Sequence, residues 1–246
     1  MFAGRWITTG NLTMNVFSKI SMEPKVDSRI CLITPDRNDR PRFLEHCKWQ
    51  MQNQTIRAGA PFIINDAAVE GVVDIVPRIR KGIELAKKGG YQFCFIIEND
   101  DYYPDWYLEK MSRCFDRGAD LVGIEETLIY SLQYPGYRIS SHPGRSSLFS
   151  TAFRISALDY YIWPEDTLLY FDMHLWKHNC NKQYVNPFFK PTGIKHGEGF
   201  CPGNFHNGIS NGKPMTKFSI DPDHLWLRRR VRYQSFLFYT KLNLKM

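Results

Sequence analysis

Short apolar runs alternate with longer amphipathic segments along residues 29–130, and this alternation is the clearest structural signal in the chain. The runs at 30–34, 61–66 and 91–97 are rich in β-branched and aromatic residues. Continuous apolar runs of this length are typical of strands that are buried on both faces. We therefore predict three buried strands at these positions and a fourth strand within 119–130.

The amphipathic segments between these strands predict helices. Each has a proline near its start, at Pro41, Pro77 and Pro104, and proline is favoured in the first turn of a helix. The first helix is expected to end near Gln54, and the second at a Gly-Gly pair. Strands that alternate with helices in this way form βαβ units. The predicted fold class is therefore α/β, with a mostly parallel central sheet flanked by helices.

The pattern is weaker after residue 130. Residues 136–140 and 146–156 predict strands of an antiparallel edge portion, and 171–178 predicts a short helix. The segment 191–214 is rich in Gly, His and Asn, and we predict a long loop there.

Positive charge is concentrated at the C-terminal end of the chain. The net charge is +7, from 32 Lys and Arg against 25 Asp and Glu, and residues 224–246 contain basic but no acidic residues. Asp221 and Pro222 predict the start of a helix that carries this basic run. Three hypotheses stay open for it: contact with an anionic membrane face, contact with nucleic-acid phosphates, or packing with its charged face in water.

The sequence has neither an apolar stretch of 18 residues nor the apolar core of a secretory signal, so we expect no membrane span. Its six cysteines form no C-x-x-C pair, and Cys31, Cys47 and Cys94 fall in apolar strands or on an apolar helix face. We expect buried, reduced thiols and a cytoplasmic protein, peripheral at a membrane if the basic segment binds lipid.

An acidic cluster, Glu98-Asn99-Asp100-Asp101, directly follows the predicted strand 91–97. In open α/β sheets, ligands bind beyond the carboxyl ends of the strands. Carboxylates this close repel one another unless a cation or protons neutralise them. Mg²⁺ and Mn²⁺ prefer such oxygen ligands and commonly bridge them to a diphosphate. The cluster therefore predicts a divalent-cation site, and the alternative is an acidic turn that caps the next helix.

Polar residues also follow the other two strands at the same expected edge. Pro35, Arg37 and Asn38 come after the first strand and could hold a base or a phosphate. Asp66 ends the second strand and could accept a hydrogen bond from a nucleobase or ribose. The alternative for each is a role in its own turn.

Two further candidates lie late in the chain. Asp172 is on the predicted helix 171–178, where a carboxylate beside an acceptor hydroxyl could act as general base, or could simply favour the helix start. His196 and His206 lie in the Gly-rich segment and could be a late metal ligand or a phosphate contact. The fingerprints of Rossmann dehydrogenases, P-loop NTPases and α/β-hydrolases are absent from the sequence, which argues against those classes.

The order of these motifs resembles that of a known enzyme family. A strand is followed by P-D-R-N-D-R-P, a helix ending in Q-N-Q-T, a strand ending in Asp, and a strand followed by E-N-D-D-Y-Y-P-D-W-Y-L-E. This order is similar to that of GT-A-fold glycosyltransferases, especially the family-2-like, inverting, nucleotide-sugar-dependent group, over roughly residues 29 to 200. The chain departs from that pattern at Glu98, which replaces the first Asp of D-x-D, and at Phe171, which replaces the Glu of E-D.

The resemblance implies a Rossmann-like GT-A domain at 29–217, preceded by an N-terminal extension at 1–28 and followed by a basic C-terminal helix at 218–246. It implies that Mn²⁺ or Mg²⁺ is held by Glu98, Asp100 and His196. Donor-binding residues would be Pro35, Arg37, Asn38, Asp66 and Asp101, and Asp172 would be the catalytic base.

The implied activity is metal-dependent, inverting transfer of a sugar from a nucleotide-diphosphate donor, most simply a UDP-sugar, to an acceptor hydroxyl. The acceptor would be a glycan or another hydroxyl compound, with a nucleic acid as a further candidate. Two hypotheses compete with this one: a nucleotidyltransferase of similar α/β fold, and a non-catalytic binding module with a basic C-terminal tail.

Overall fold

A six-stranded sheet forms the centre of the protein in the computed structural model. The described residues are 24–69, 72–188, 190–197, 209–210, 213–214 and 218–242. Most of the predicted extension 1–28 and the candidate ligand His206 lie outside these ranges.

The described elements are twelve strands, six α-helices and two short 3-10 helices. The strands are β1 (Lys25–Pro35), β2 (Ile56–Ile64), β3 (Phe93–Ile96), β4 (Leu121–Gly123), β5 (Glu126–Ser131), β6 (Gly136–Ser141), β7 (Ala152–Arg154), β8 (Lys182–Tyr184), β9 (Thr192–Lys195), β10 (Ile209–Ser210), β11 (Lys213–Pro214) and β12 (Ser219–Ile220). The α-helices are α1 (Pro41–Gln52), α2 (Ile75–Lys88), α3 (Tyr107–Asp116), α4 (Phe171–Leu175), α5 (Leu225–Arg230) and α6 (Tyr233–Thr240). The 3-10 helices are Leu148–Ser150 and Ile155–Leu158. Within the described ranges, no helix combines the length and apolar character needed to cross a membrane.

The central sheet has the strand order β2-β1-β3-β7-β4-β8. β1 runs parallel to both β2 and β3, and β4 runs parallel to β8. β7 is antiparallel to its neighbours β3 and β4. The predicted fold class is therefore confirmed: the fold is α/β, its central sheet is mostly parallel, and antiparallel pairs occur in the second half of the chain.

Both faces of the central sheet are buried, which explains why its strands are continuous apolar runs. Along β1, Ile30 and Leu32 point to one face, and Cys31 and Ile33 point to the other. The first face packs against α1 and α3, and the second against α2 and α4.

A second, four-stranded sheet has the order β12-β6-β5-β9. β5 pairs antiparallel with β6 and parallel with β9. Tyr130 of β5 joins Leu227 of α5 and Tyr239 of α6 in a buried cluster, so the C-terminal helices cover one face of this sheet. An isolated bridge between Tyr102 and Thr192 connects the sheet to the acidic segment after β3.

Three predictions about strands and loops were wrong in part. The predicted strand 146–156 is a strand only at β7, because Leu148–Ser150 and Ile155–Leu158 form 3-10 helices. The predicted strand 119–130 is two strands, because β4 stays in the central sheet while β5 joins the second sheet. The predicted loop 191–214 contains β9, which pairs with β5. A four-residue strand with a central glycine has little local signal, and its pairing depends on a partner more than 60 residues earlier in the chain.

The predicted C-terminal helix is two helices. Val231 has extended backbone angles of φ −113° and ψ 159°, which separates α5 from α6. Arg232, directly after the break, donates its backbone N–H to the hydroxyl of Tyr102 and forms a salt bridge with Asp105. These contacts hold the residues between α5 and α6 against the segment after β3 and so stabilise the break between the two helices. Binding of lipid or nucleic acid by the basic run stays a prediction.

Candidate active site

A cleft of about 590 Å³ lies where β1 and β3 end, between the two sheets. Its walls come from the carboxyl ends of β1 and β3, from β5, β6 and β9, and from the start of α4. Six predicted site residues line it: Pro35, Arg37, Glu98, Asp100, Asp172 and His196. This is the edge of the sheet at which α/β folds bind ligands.

Two buried glutamines hold the acidic segment in position. Gln50 Nε2 donates to the backbone oxygen of Asp101 (2.9 Å), and Gln50 Oε1 accepts from the backbone N–H of Tyr103 (2.8 Å). Gln54 Nε2 donates to the backbone oxygen of Pro104 (2.9 Å). The glutamines at and just after the end of α1 therefore provide hydrogen-bond partners for the backbone of the segment that carries the carboxylates.

The carboxylates of Glu98, Asp100 and Asp101 converge, with one oxygen of each lying within 4.8 Å of the others. Burial, together with the charge of Asp100, raises the pKa of Glu98 to about 7. Burial also raises the pKa of Asp101 well above its usual value. Burial is the largest cause of both pKa shifts, and a cation bound beside these carboxyl groups would favour their ionised forms.

Asp100 differs from its two neighbours because Arg40 and His196 contact it. Arg40 Nη1 lies 2.5 Å, and His196 Nε2 3.0 Å, from Asp100 Oδ2. Although burial acts to raise the pKa of Asp100, the charge of Arg40 and the hydrogen bond from His196 outweigh it and lower that pKa. Asp100 is therefore ionised in this arrangement.

The residues fit a hard divalent cation. Asp101 Oδ1 accepts from the backbone N–H of Ile194 (2.8 Å). Its Oδ2 is buried and has no hydrogen-bond partner in the part of the chain that the structure describes. A buried, unpartnered carboxylate oxygen beside two further carboxylates is the kind of oxygen-rich donor set that Mg²⁺ or Mn²⁺ prefers. Glu98, Asp100 and Asp101 could hold the ion, and His196 contacts the same group of oxygens through Asp100.

Asp172 lies in the first turn of α4, with its side chain only 14% exposed. Arg145 Nη1 donates to Asp172 Oδ2 at 2.7 Å. Burial raises the pKa of Asp172, and the charge of Arg145 opposes that rise only in part. The charge of Asp172 also contributes to the raised pKa of Glu98, so the candidate base faces the acidic cluster in the cleft.

Of the residues after β1 and β2 that were predicted to bind the donor, some line the cleft and others lie on the surface. Arg37 donates to Asp74 Oδ1 and to the backbone oxygen of Val72, both at 3.1 Å, and so anchors the segment before α2. Asn38 is exposed, and its φ of 61° places it in the left-handed conformation that asparagine often adopts in turns. Asp66 is 53% exposed and pairs with Lys81. None of Asn38, Asp66 and Asp101, all predicted to bind the donor, is among the described residues that line the cleft.

Arg78 is a functional neighbour that the sequence analysis missed. It is 4% exposed and donates to the backbone oxygens of Asp36 (2.7 Å), Ile64 (2.9 Å) and Asp66 (2.8 Å), and to the side chain of Asp74 (2.7 Å). These bonds tie the ends of β1 and β2 to α2 beside the cleft. An arginine on the otherwise apolar face of α2 was the signal that could have identified it.

Arg40 and Arg145 were also missed, although each contacts a predicted site residue. Their partners lie 60 and 27 residues away along the chain. Neither arginine belongs to a spacing pattern that local sequence reasoning could use.

The comparisons with known proteins gave only structural matches. No protein-family model matches the chain, and no curated protein sequence matches it. The crystal structure of S. aureus TarS in complex with UDP-GlcNAc matches with a TM-score of 0.51 and 12% identity, over 74% of this chain and 61% of that one. TarS in complex with UDP gives a TM-score of 0.46 at 14% identity, over 67% of this chain and 60% of that one. A197 from STIV gives a TM-score of 0.45 at 14% identity, over 64% of this chain and 82% of that one.

The match to TarS with UDP-GlcNAc shows the fold. At 12% identity the likeness concerns the arrangement of the chain alone, and this chain spans 61% of the TarS chain. The GT-A-like fold that the order of the motifs implied is confirmed.

Proposed function

We propose that this protein is a metal-dependent glycosyltransferase that moves a sugar from a UDP-sugar to an acceptor hydroxyl with inversion. The observation that carries the proposal is the convergence of three carboxylates after β3, of which Glu98 and Asp100 line a cleft that also contains Asp172. The structural likeness to TarS, which was crystallised with UDP-GlcNAc, supports a UDP-sugar as the donor.

The acidic cluster is the proposed cation site. Mn²⁺ or Mg²⁺ held by Glu98, Asp100, Asp101 and His196 would neutralise the diphosphate and make it a better leaving group. Arg40 and Lys195 bring positive charge to the same carboxylates and would bind diphosphate oxygens beside them. Arg37, which is bonded to the segment before α2, would shape the nucleotide end of the cleft together with Pro35.

Asp172 is the proposed general base. Its raised pKa makes it a stronger base than an ordinary carboxylate, and Arg145 fixes its orientation. Asp172 would take the proton of the acceptor hydroxyl while the acceptor oxygen forms a bond to the anomeric carbon. The bond from that carbon to the diphosphate breaks on the opposite face, and the electron pair leaves with UDP. A single displacement of this kind inverts the anomeric centre and needs no covalent enzyme intermediate.

A donor-turnover assay tests this proposal. UDP release from UDP-GlcNAc, UDP-glucose and UDP-galactose would be measured with MnCl₂ and with EDTA. We expect release from at least one donor, its loss with EDTA, and its fall to background in Asp100→Asn, because a neutral amide is a poor cation ligand.

Asp159→Asn is the matched control, because Asp159 is exposed and pairs with Lys87 on the surface. It should keep the wild-type rate. Turnover that survives both EDTA and Asp100→Asn would contradict the cation site. Absence of UDP release from every donor, with no binding of UDP, would contradict the transferase.

A further inference from the structure

A group of nitrogen-bearing side chains lies in the cleft beside Asp172, apart from the residues assigned to the donor and the cation. Arg138 of β6, with His142 and Arg145 of the segment after β6, forms this group, which we call the Arg138 cluster; all three residues line the cleft. Arg145 Nη2 lies 3.0 Å from His142 Nδ1. Burial, and then the charges of Arg145 and Arg138, lower the pKa of His142, so both arginines lie within electrostatic range of His142.

Arg138 is the arginine of this cluster that has no carboxylate partner among the described residues. The other arginines of the cleft form salt bridges that join Arg37 and Arg78 to Asp74, Arg40 to Asp100, and Arg145 to Asp172. Arg138 Nε is buried and makes no hydrogen bond within the described ranges, and the guanidinium lies 5.4 Å from the centre of the Phe218 ring. Withdrawing a guanidinium from water without an anion is unfavourable, so this position suits a ligand that brings the negative charge.

The position of Arg138 within the cleft points to the acceptor. Arg138 pairs with Ile129 across the β5–β6 ladder, and both line the cleft. Arg145, its neighbour in the cluster, contacts the proposed base Asp172. Tyr170 and Met173 flank Asp172 and are 51% and 45% exposed, which provides an apolar surface on which a sugar ring can pack.

The donor diphosphate has other cations available. Arg40 and Lys195 are the basic residues whose charges act on both Glu98 and Asp100. The proposed diphosphate position therefore lies beside these two residues and the cation, and the Arg138 cluster is left for the second substrate.

We propose that the Arg138 cluster binds an anionic group of the acceptor, a phosphate or a carboxylate, next to the hydroxyl that Asp172 deprotonates. This inference rests on the proposed glycosyltransferase function, and it narrows the acceptor to phosphorylated or carboxylated sugars and polyols. Arg138 is then a specificity-determining residue that binds the oxyanion through charge-assisted hydrogen bonds.

Calorimetric titration of the full chain tests the anion site without relying on turnover. The probes are glycerol 3-phosphate against glycerol, and glucuronate against glucose, so that phosphate and carboxylate are tested separately. We expect at least one anion to bind about tenfold or more tightly than its neutral match, which corresponds to about 1.4 kcal/mol. Arg138→Gln should remove that preference, and Arg138→Lys should keep part of it, because the charge remains but the paired donors do not.

Arg113→Gln is the control for a general loss of positive charge, since Arg113 is 62% exposed on α3. It should bind the anions as the wild type does. Binding of UDP with Mn²⁺ should be unchanged in Arg138→Gln, which also shows that the variant is folded. If the anions bind no better than their neutral matches, or if Arg138→Gln weakens UDP instead, the inference is overturned.

Turnover with the same acceptors separates this inference from the proposed function. Transfer from UDP-GlcNAc that is equal for charged and neutral acceptors would retain the transferase and overturn the anion site. Arg138-dependent binding of an anion, with neither turnover nor binding of any UDP-sugar, would retain the anion site and overturn the transferase.

Discussion

Asp172 and Arg145 form the contact on which the proposed chemistry depends most directly. The pair is partly buried and joined at 2.7 Å, so the carboxylate is held in one orientation in the cleft. Replacing Asp172 by Asn nearly preserves the shape of the side chain, but it removes the carboxylate charge, and with it both the capacity to accept a proton and the ion pair with Arg145. Measuring UDP binding in the same variant distinguishes an effect on the chemical step from one on the donor site.

We predict that Asp172→Asn lowers kcat by about 10²–10⁴-fold, the usual contribution of a general base, and leaves the Kd for UDP unchanged. Steady-state kinetics and UDP titration measure the two effects. Asp166→Asn is the control, since Asp166 is 58% exposed and pairs with Arg80 on the surface. A wild-type kcat in Asp172→Asn would exclude Asp172 as the base.

The pH dependence of activity follows from the same pair. An ordinary aspartate has a pKa of about 4. Because burial raises the pKa of Asp172, the acid limb of kcat/KM should lie at a higher pH than that. Activity rises with pH through this limb, since the base must be ionised. Arg145→Gln removes the charge that opposes the rise in pKa, so its limb should move to higher pH. A limb that moves to lower pH in Arg145→Gln would show that a different group titrates.

At the residue scale, the sequence could identify groups that follow strands but not the groups that contact them. Glu98, Asp100 and Asp172 stand in local patterns, and all three line the cleft. Asp66 also follows a strand, yet it is exposed, because β2 ends at Ile64 and the chain continues over the surface. Arg40 reaches Asp100 across 60 residues of sequence, and only the fold brings them together.

At the scale of elements, α2 packs on β1 more closely than any side chain at position 82 would permit. A Cβ built on Gly82 would lie 2.6 Å from Ile33 Cγ2 and 2.9 Å from Ile33 Cδ1. Ile33 is fully buried in the sheet, so it has little room to move. The glycine therefore sets the approach of the helix that borders the proposed nucleotide end of the cleft.

We predict that Gly82→Ala lowers the free energy of unfolding by about 1–3 kcal/mol, the typical effect of overpacking a core. The gain in helix propensity from Gly to Ala, about 1 kcal/mol, opposes this loss without outweighing it. Urea denaturation measures the change, and Glu84→Ala on the exposed face of the same helix is the control. A variant as stable as the wild type would show that α2 shifts away from Ile33 at little cost.

The elements themselves were predictable where their signals were local. The β-α-β-α-β-α order from β1 to α3 follows from apolar periodicity and from prolines in the first turns or just before them. The later elements depend on distant partners. β9 is stabilised as a strand by its pairing with β5. The break between α5 and α6 occurs where Arg232 contacts the segment after β3.

At the scale of the whole molecule, the cleft joins two sheets with different origins in the chain. The central sheet supplies the acidic cluster and the proposed nucleotide end, from residues that precede Tyr102. The second sheet and α4 supply the Arg138 cluster and Asp172. The order of motifs pointed to the acidic cluster on the central sheet. The part of the cleft that the second sheet forms could not be derived from local patterns, because its walls form only when β5, β6 and β9 assemble.

The central claim is that the acidic cluster binds a divalent cation together with a nucleoside diphosphate, and thermal unfolding with UDP tests it most directly. A ligand that binds only the native state raises the Tm, and by an amount that grows with its concentration. We predict that UDP raises the Tm of the wild-type protein when Mn²⁺ is present and not when EDTA replaces it. Asp100→Asn should abolish the Mn²⁺-dependent shift. An equal shift with EDTA, an unchanged shift in Asp100→Asn, or no shift at all would contradict the account.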